Sequence, residues 1–160
     1  MDLTEPARRA FGAGSQERRM ADVHKLETER QALILVVDRD PHIRELEAHF
    51  LNQAGYSVAF AHDGEDALEQ IKMAVPDIVI TEILVPALDG LSLCRQVKAN
   101  PLTRDVAVLV FSILSARDRA REAGADAFLL KPLAKHALVN TVRQVLEARS
   151  ARIGRLQHAP

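Results

Sequence analysis

At 160 residues, with 48% hydrophobic and 27% charged side chains, the chain is long enough for one globular domain with a proper core plus some tail. Twenty-one lysines and arginines against 22 aspartates and glutamates leave a net charge of -1, which excludes a strong overall field drawing the molecule onto nucleic acid or anionic lipid. Cys94 is the only cysteine, so an intramolecular disulfide is excluded and a reducing compartment is the simplest reading.

The first 31 residues mix charges of both signs and are poor in branched apolar residues, so a tail is expected there, partly helical from Ser15. Met20 opens MADVHKLETERQ, an alternative start to Met1. The opening MDLTEPARRAFGAGSQERR lacks the apolar stretch of a secretory signal, and no run is long enough to cross a bilayer, which places the protein in the cytoplasm.

From residue 32 the pattern becomes regular. ALILVVD is a continuous apolar run ending in an acid, as in a strand buried on both faces of a parallel sheet. PHIRELEAHFLNQAG follows as a helix opened by Pro41 and stopped by Gly55, with Ile43, Leu46 and Phe50 marking its expected inner face. YSVAFAH predicts the next strand. DGEDALEQIKMAV predicts a helix packed through Leu68, Ile71 and Val75 and ended by Pro76. DIVITEI, VAVLVFS and AFLLKP supply three more strands. Between and after them, LSLCRQVKANP, the short alanine-faced ARDRAREAG (Ala116, Ala120, Ala123) and LAKHALVNTVRQVLEARSAR supply three more helices. Strands alternating with helices predict an α/β fold, a parallel sheet with right-handed crossovers and helices on both faces. The expected organisation is a tail over 1–31, a domain over 32–148 and a polar, fraying end over 149–160. Arg149, Arg152 and Arg155 share a helical face of that end and read as solvated rather than as a DNA contact.

Open α/β sheets place their chemistry outside the carboxyl ends of the strands. There the first strand ends in Asp38, Arg39 and Asp40, the third in Glu82, the fourth in Ser112 and the fifth in Lys131 with Pro132. Each has an ordinary structural role available: Asp40 beside Pro41 is placed to cap the first helix, Ser112 to cap a turn, Lys131 to tie down a loop. His42 and His62 lie near this edge without metal-ligand spacing and read as surface residues.

In their order and spacing, ILVVDRDPHIREL, DGEDALEQI, DIVITEILVPALDG and EAGADAFLLKPL, spanning about Leu33 to Leu146, resemble the receiver domain of two-component response regulators. The resemblance implies a flavodoxin-like five-stranded parallel sheet of order 2-1-3-4-5. It also implies phosphoryl transfer from a kinase histidine to a carboxylate after the third strand, with Mg²⁺ held by two acids after the first. By that resemblance Asp38 is the one retained acid of the pair, Arg39 stands at the second acid position and Glu82 at the acceptor position. Ser112 matches the phosphate-sensing hydroxyl, Phe128 the aromatic switch and Lys131 the lysine that neutralises the moving group. The implied partner is a protein, a histidine kinase or another signalling protein, with no nucleic acid and no membrane involved and the oligomeric state open.

Two departures change the expected chemistry. The extra methylene of Glu82 moves its nucleophilic oxygen by roughly one bond length, and misplacement of about 1 Å costs on the order of 10²-fold in rate. Arg39 is a permanent cation where a metal ligand belongs. It is expected to pair with Glu82 or Asp38, neutralising the acidic pocket and consuming the Glu82 charge locally, which favours a scaffold over a mimic of the phosphorylated state. The leading expectation is a phosphorylation-independent, pseudo-receiver module that is not an enzyme, holds no cofactor, carries no recognisable output domain and acts by protein interaction. The alternatives are a metal-dependent acceptor using Glu82 with Mg²⁺, and a small-ligand-binding flavodoxin-like domain.

Overall fold

A computed structural model of the chain describes Arg18 and residues 31–158; the expected N-terminal tail and the alternative start at Met20 lie outside the described residues. The first apolar run forms β1 (Leu33–Val37), buried along almost its whole length. The others form β2 (Ser57–Ala61), β3 (Ile78–Thr81), β4 (Ala107–Ser112) and β5 (Ala127–Leu130). All pair in parallel in the order β2-β1-β3-β4-β5. The interior strands β3 and β4 are buried at every position, which is why they read as unbroken apolar runs.

Alternating residues of these strands feed two separate cores. Leu35, Val37, Val79, Val108 and Val110 pack with the helices α2 (Gly64–Ala74), α3 (Gly90–Ala99) and α4 (Arg117–Glu122) on one face. Ile34, Val36, Ile78, Ile80, Leu109 and Phe111 pack with α1 (Pro41–Gln53) and α5 (Lys135–Gln157) on the other. The alanine face of α4, Ala116, Ala120 and Ala123, is buried as its small side chains permit. Cys94 is buried in the first core, donates its thiol to the Ala123 carbonyl, and is pushed by burial up to about 11, which keeps it unreactive.

Helix details depart from the sequence pattern in three places. In α1 the buried positions are Glu47, Ala48 and Leu51, while Leu46 is 41% exposed; the face is rotated from the one expected because an acid occupies a core position. In α2 the helix ends at Ala74, and Val75 takes a left-handed φ of 42° as the C-cap and lies exposed instead of packing inward. In α5 the helix continues to Gln157, so the fraying end expected from residue 149 is helical. Arg149 accounts for part of this extension: its Nε donates to the Asp105 carbonyl at 2.7 Å and its Nη1 lies 3.1 Å from Asp77 Oδ1. Arg149 is thus tied to the lower edge of the sheet rather than solvated, and Arg152 lies 3.9 Å from Asp126.

The loop that carries the β3 sequence into α3 is clamped by glycine. Gly64 N–H donates to the Pro86 carbonyl at 3.1 Å, and a Cβ at Gly64 would lie 1.8 Å from the Leu88 carbonyl oxygen. A backbone oxygen in a turn cannot yield that distance cheaply. Gly64→Ala is therefore expected to destabilise the fold by about 1–3 kcal/mol through overpacking. Gly154→Ala, in α5 with nothing within 4 Å of the new methyl, is expected to raise stability by about 0.5–1 kcal/mol. Urea unfolding followed by circular dichroism measures both.

Candidate functional site

The register of the sheet brings four strand ends to one edge, with β4 and β5 running two residues past β1 and β3. Val37 pairs with Thr81, Thr81 with Val110 and Ser112 with Leu130. The residue after each strand is still held by backbone bonds, Glu82 N–H to the Val37 carbonyl at 3.0 Å and Lys131 N–H to the Ser112 carbonyl at 2.8 Å. Asp38, Glu82, Ser112 and Lys131 are thereby delivered to one crevice. The strand order reverses beside β1, and such a switch point is where open α/β sheets place a site.

Lys131 sits at the centre. Its ammonium lies 2.6 Å from Asp38 Oδ2 and 3.0 Å from Glu82 Oε2, with 11% of the side chain exposed. Glu82 is engaged at both oxygens: Oε1 takes the Ser112 hydroxyl and the Ile83 N–H at 2.7 Å. Its Oε2 takes the Ile113 N–H at 3.1 Å as well as Lys131. Burial would raise the Glu82 pKa, but the bonds from Ser112 and Lys131, with the lysine charge and the Ile83 amide, outweigh it and hold the carboxyl below its ordinary value. Burial likewise opposes the charge on Lys131, and Asp38 and Glu82 together overcome it and raise its pKa.

The other carboxylate is also fully occupied. Asp38 Oδ1 accepts the Asp40 N–H at 2.9 Å, and Arg44 Nη1 donates to the Asp38 carbonyl at 2.8 Å. Asp40 itself caps α1, accepting the His42 N–H at 2.9 Å. Ser112 Oγ has a double role, donating to Glu82 and accepting from Leu114 N–H at 3.1 Å. Phe128 is 8% exposed and packed in the core, with the Arg117 guanidinium 5.3 Å over its ring. His42 is exposed, and His62 lies beside Asp63 and Asp66 on the surface.

Arg39 does not do what the sequence pattern predicts. It is exposed at the rim of the cleft and, among the described residues, forms no ion pair with Asp38 or Glu82. The reason is positional: Asp38 turns into the crevice, its successor turns outward, and Lys131 already fills the space between the carboxylates. The internal cation is Lys131. The cleft above it, about 230 Å³, has Asp38, Glu82 and Lys131 as its floor and Ile43, Leu84 and Ile113 as apolar walls.

The Mg²⁺ that the resemblance implies would meet Asp38 and Glu82, both already paired with Lys131, with Arg39 at the position of a second acid. Among the described residues no group of three or more His, Cys, Asp or Glu side chains is arranged to hold a metal ion.

One buried carboxyl escapes the sequence pattern. Glu47, 1% exposed on α1, feels the charges of Asp38, Lys131 and Glu82. The signal that could have found it is its place in the 44-47-48-51 helical stripe ending on Ala48 and Leu51.

Residues 34–143 match the response regulator receiver domain. The chain belongs to that family. This receiver is 41% identical over 119 residues to the response regulator MprA of Mycobacterium avium and to that of Mycobacterium tuberculosis, covering 71% of the chain and 50% of each relative. It spans about half the length of the curated relatives it matches. Among solved structures it resembles a response regulator from Chloroflexus aurantiacus at 36% identity and TM-score 0.71, covering 74% of this chain and 99% of that one. It also resembles the chemotaxis response regulator CheY4 of Vibrio cholerae at 27% identity and TM-score 0.69, covering 72% and 99%. The five-stranded order of the receiver fold is the one found here. Among the described residues no helix is long and apolar enough to cross a membrane.

The geometry of the receiver's cleft predicts which cation matters for stability. Lys131→Met leaves Asp38 and Glu82 buried without a counter-charge and is expected to cost about 3–5 kcal/mol at neutral pH. The loss should shrink on acidification, because each carboxylate then raises the other's pKa and one protonates. Arg39→Ala should change stability by less than about 0.5 kcal/mol. Denaturant midpoints of both variants from neutral to acidic pH provide the check.

Proposed function

We propose that this receiver works in two-component signalling without being phosphorylated, as a protein-interaction module whose acceptor position is filled by Glu82 in a charge-held state. The observation that carries the reading is the Glu82 carboxylate itself, engaged at one oxygen by Ser112 and at the other by Lys131. By the family resemblance these are the hydroxyl and lysine that a phosphoryl group would gather. A nucleophilic carboxylate needs an available oxygen and a metal to neutralise the incoming group. Glu82 offers neither, with hydrogen bonds on both oxygens and Arg39 at the rim instead of a second acid.

Phe128, at the aromatic switch position, is packed inward, which supports an active-like arrangement rather than an inert scaffold. The Glu82 charge is not consumed by Arg39; it is spent on the contacts that hold Ser112 and Lys131. A carboxylate supplies about one negative charge where a phosphoryl group supplies nearly two, so the mimicry is of position more than of field. The partner is a protein, a histidine kinase or another signalling protein, and the setting is the cytoplasm. The protein binds; it does not turn over a substrate.

The test uses a small phosphodonor with Mg²⁺ and intact mass. The unmodified chain is expected to show no phosphoryl adduct, whereas the double variant Arg39→Asp, Glu82→Asp, which restores the acid pair and the shorter acceptor, is expected to gain one. An adduct mapped to Glu82 in the unmodified chain contradicts the proposal and favours a working metal-dependent acceptor.

A further inference from the structure

Glu47 lies on the face of α1 that packs against the sheet, and none of the contacts made by Asp38, Glu82 or Lys131 uses it. It is 1% exposed, and its Oε2 is buried without a hydrogen-bond partner. A carboxyl in such a place is costly when neutral and far more costly when ionised. Its neighbours on the buried face are Ala48 and Leu51, which offer no compensation.

The charges that face it come from several elements. Asp38 after β1 and Glu82 after β3 oppose a negative charge there, and Lys131 after β5 favours one. Strand β2 carries no charged residue. On α5, Lys135 reaches toward α1 but is committed to Gln53 Oε1 at 3.2 Å and to the Phe50 ring at 5.7 Å. On α1 itself, Arg44 is turned to the Asp38 carbonyl, while Glu45 and His49 are exposed. Lys131 is thus the only one of these cations near enough to favour ionisation, and it already serves two carboxylates.

We propose that Glu47 is a proton-operated control on the receiver's cleft: neutral, it lets α1 lie against the sheet beside the Asp38–Lys131–Glu82 bridge; ionised, it competes for Lys131 and loosens that bridge. This deepens the reading of a phosphorylation-independent receiver, on which it rests, by naming loss of a proton as an input that alters the charge of the same pocket. No bond is made or broken beyond the O–H of the carboxyl, and the proton goes to solvent.

Burial, and then repulsion from Asp38, push the Glu47 carboxyl from 4.5 up to about 8. The sign follows directly. The unfolded chain releases this proton near 4.5 and the folded chain near 8, so between those values the folded state binds more protons. Stability contributed by the protonated group is full below about 4.5, declines as pH rises, and is lost above about 8. The cleft itself should respond only near the upper limit, where the folded state ionises.

Carboxyl-carbon and amide NMR of the full chain from about pH 6 to about pH 10 tests the proposal. We expect one glutamate carboxyl with a midpoint of about 8, missing in Glu47→Gln. The Ile83 and Ile113 amides, which bond the two Glu82 oxygens, should shift with the same midpoint in the parent and not in Glu47→Gln. A Glu47 carboxyl titrating like an exposed glutamate overturns the proposal. So do Ile83 and Ile113 amides that stay still through its transition, or that move identically in Glu47→Gln. The parent titration decides the first two outcomes even if the variant does not fold. Failure here would leave the phosphodonor result untouched, so the two readings fall separately.

Discussion

The ammonium of Lys131 between Asp38 and Glu82 is the interaction on which the upper edge of this sheet depends. Three strand ends converge there carrying two buried carboxylates, and like charges in a shared low-dielectric site cannot both remain ionised without a cation between them. The lysine comes from the far side of the sheet, across β4, so its two bonds tie β5 to β3 and β1. Ser112 fills the intervening position from β4 and closes the set. The strand order puts these four ends side by side; the fold is what makes one lysine sufficient.

On the proposed reading, the same bridge suits the cleft to holding a charge state rather than to chemistry. In a metal-dependent acceptor site, carboxylates face an exchangeable cation and one oxygen remains available for attack. Here the cation is covalently part of the chain and the longer Glu82 side chain reaches the hydroxyl and the lysine itself. What can still vary is protonation, and among the described residues the one buried carboxyl oxygen without a hydrogen-bond partner is Glu47 Oε2.

Much of this was legible in the sequence for physical reasons. Strands buried on both faces leave continuous apolar runs, so LILVV and AVLVFS announced themselves, and strand ends named Asp38, Glu82, Ser112 and Lys131 as a group. What failed was pairing and facing. Arg39 was adjacent in sequence to the acids and of the right sign, but sequence proximity says nothing about which way a side chain turns at a strand end. Glu47 was invisible because an acid at a core position looks like an outward one, and the same error put the exposed Leu46 inside. The extended α5 was missed because its anchors, Asp77 and Asp105, lie far away in the sequence.

The account stands or falls on whether Lys131 and Glu82 act as one unit. A double-mutant cycle of Lys131→Met and Glu82→Gln, measured by denaturant unfolding at neutral pH, isolates their coupling. The account predicts a favourable interaction of about 1–3 kcal/mol, with Arg39→Ala and Glu82→Gln additive to within about 0.5 kcal/mol in a parallel cycle. Additivity for the lysine pair, or coupling in the arginine pair instead, would contradict it.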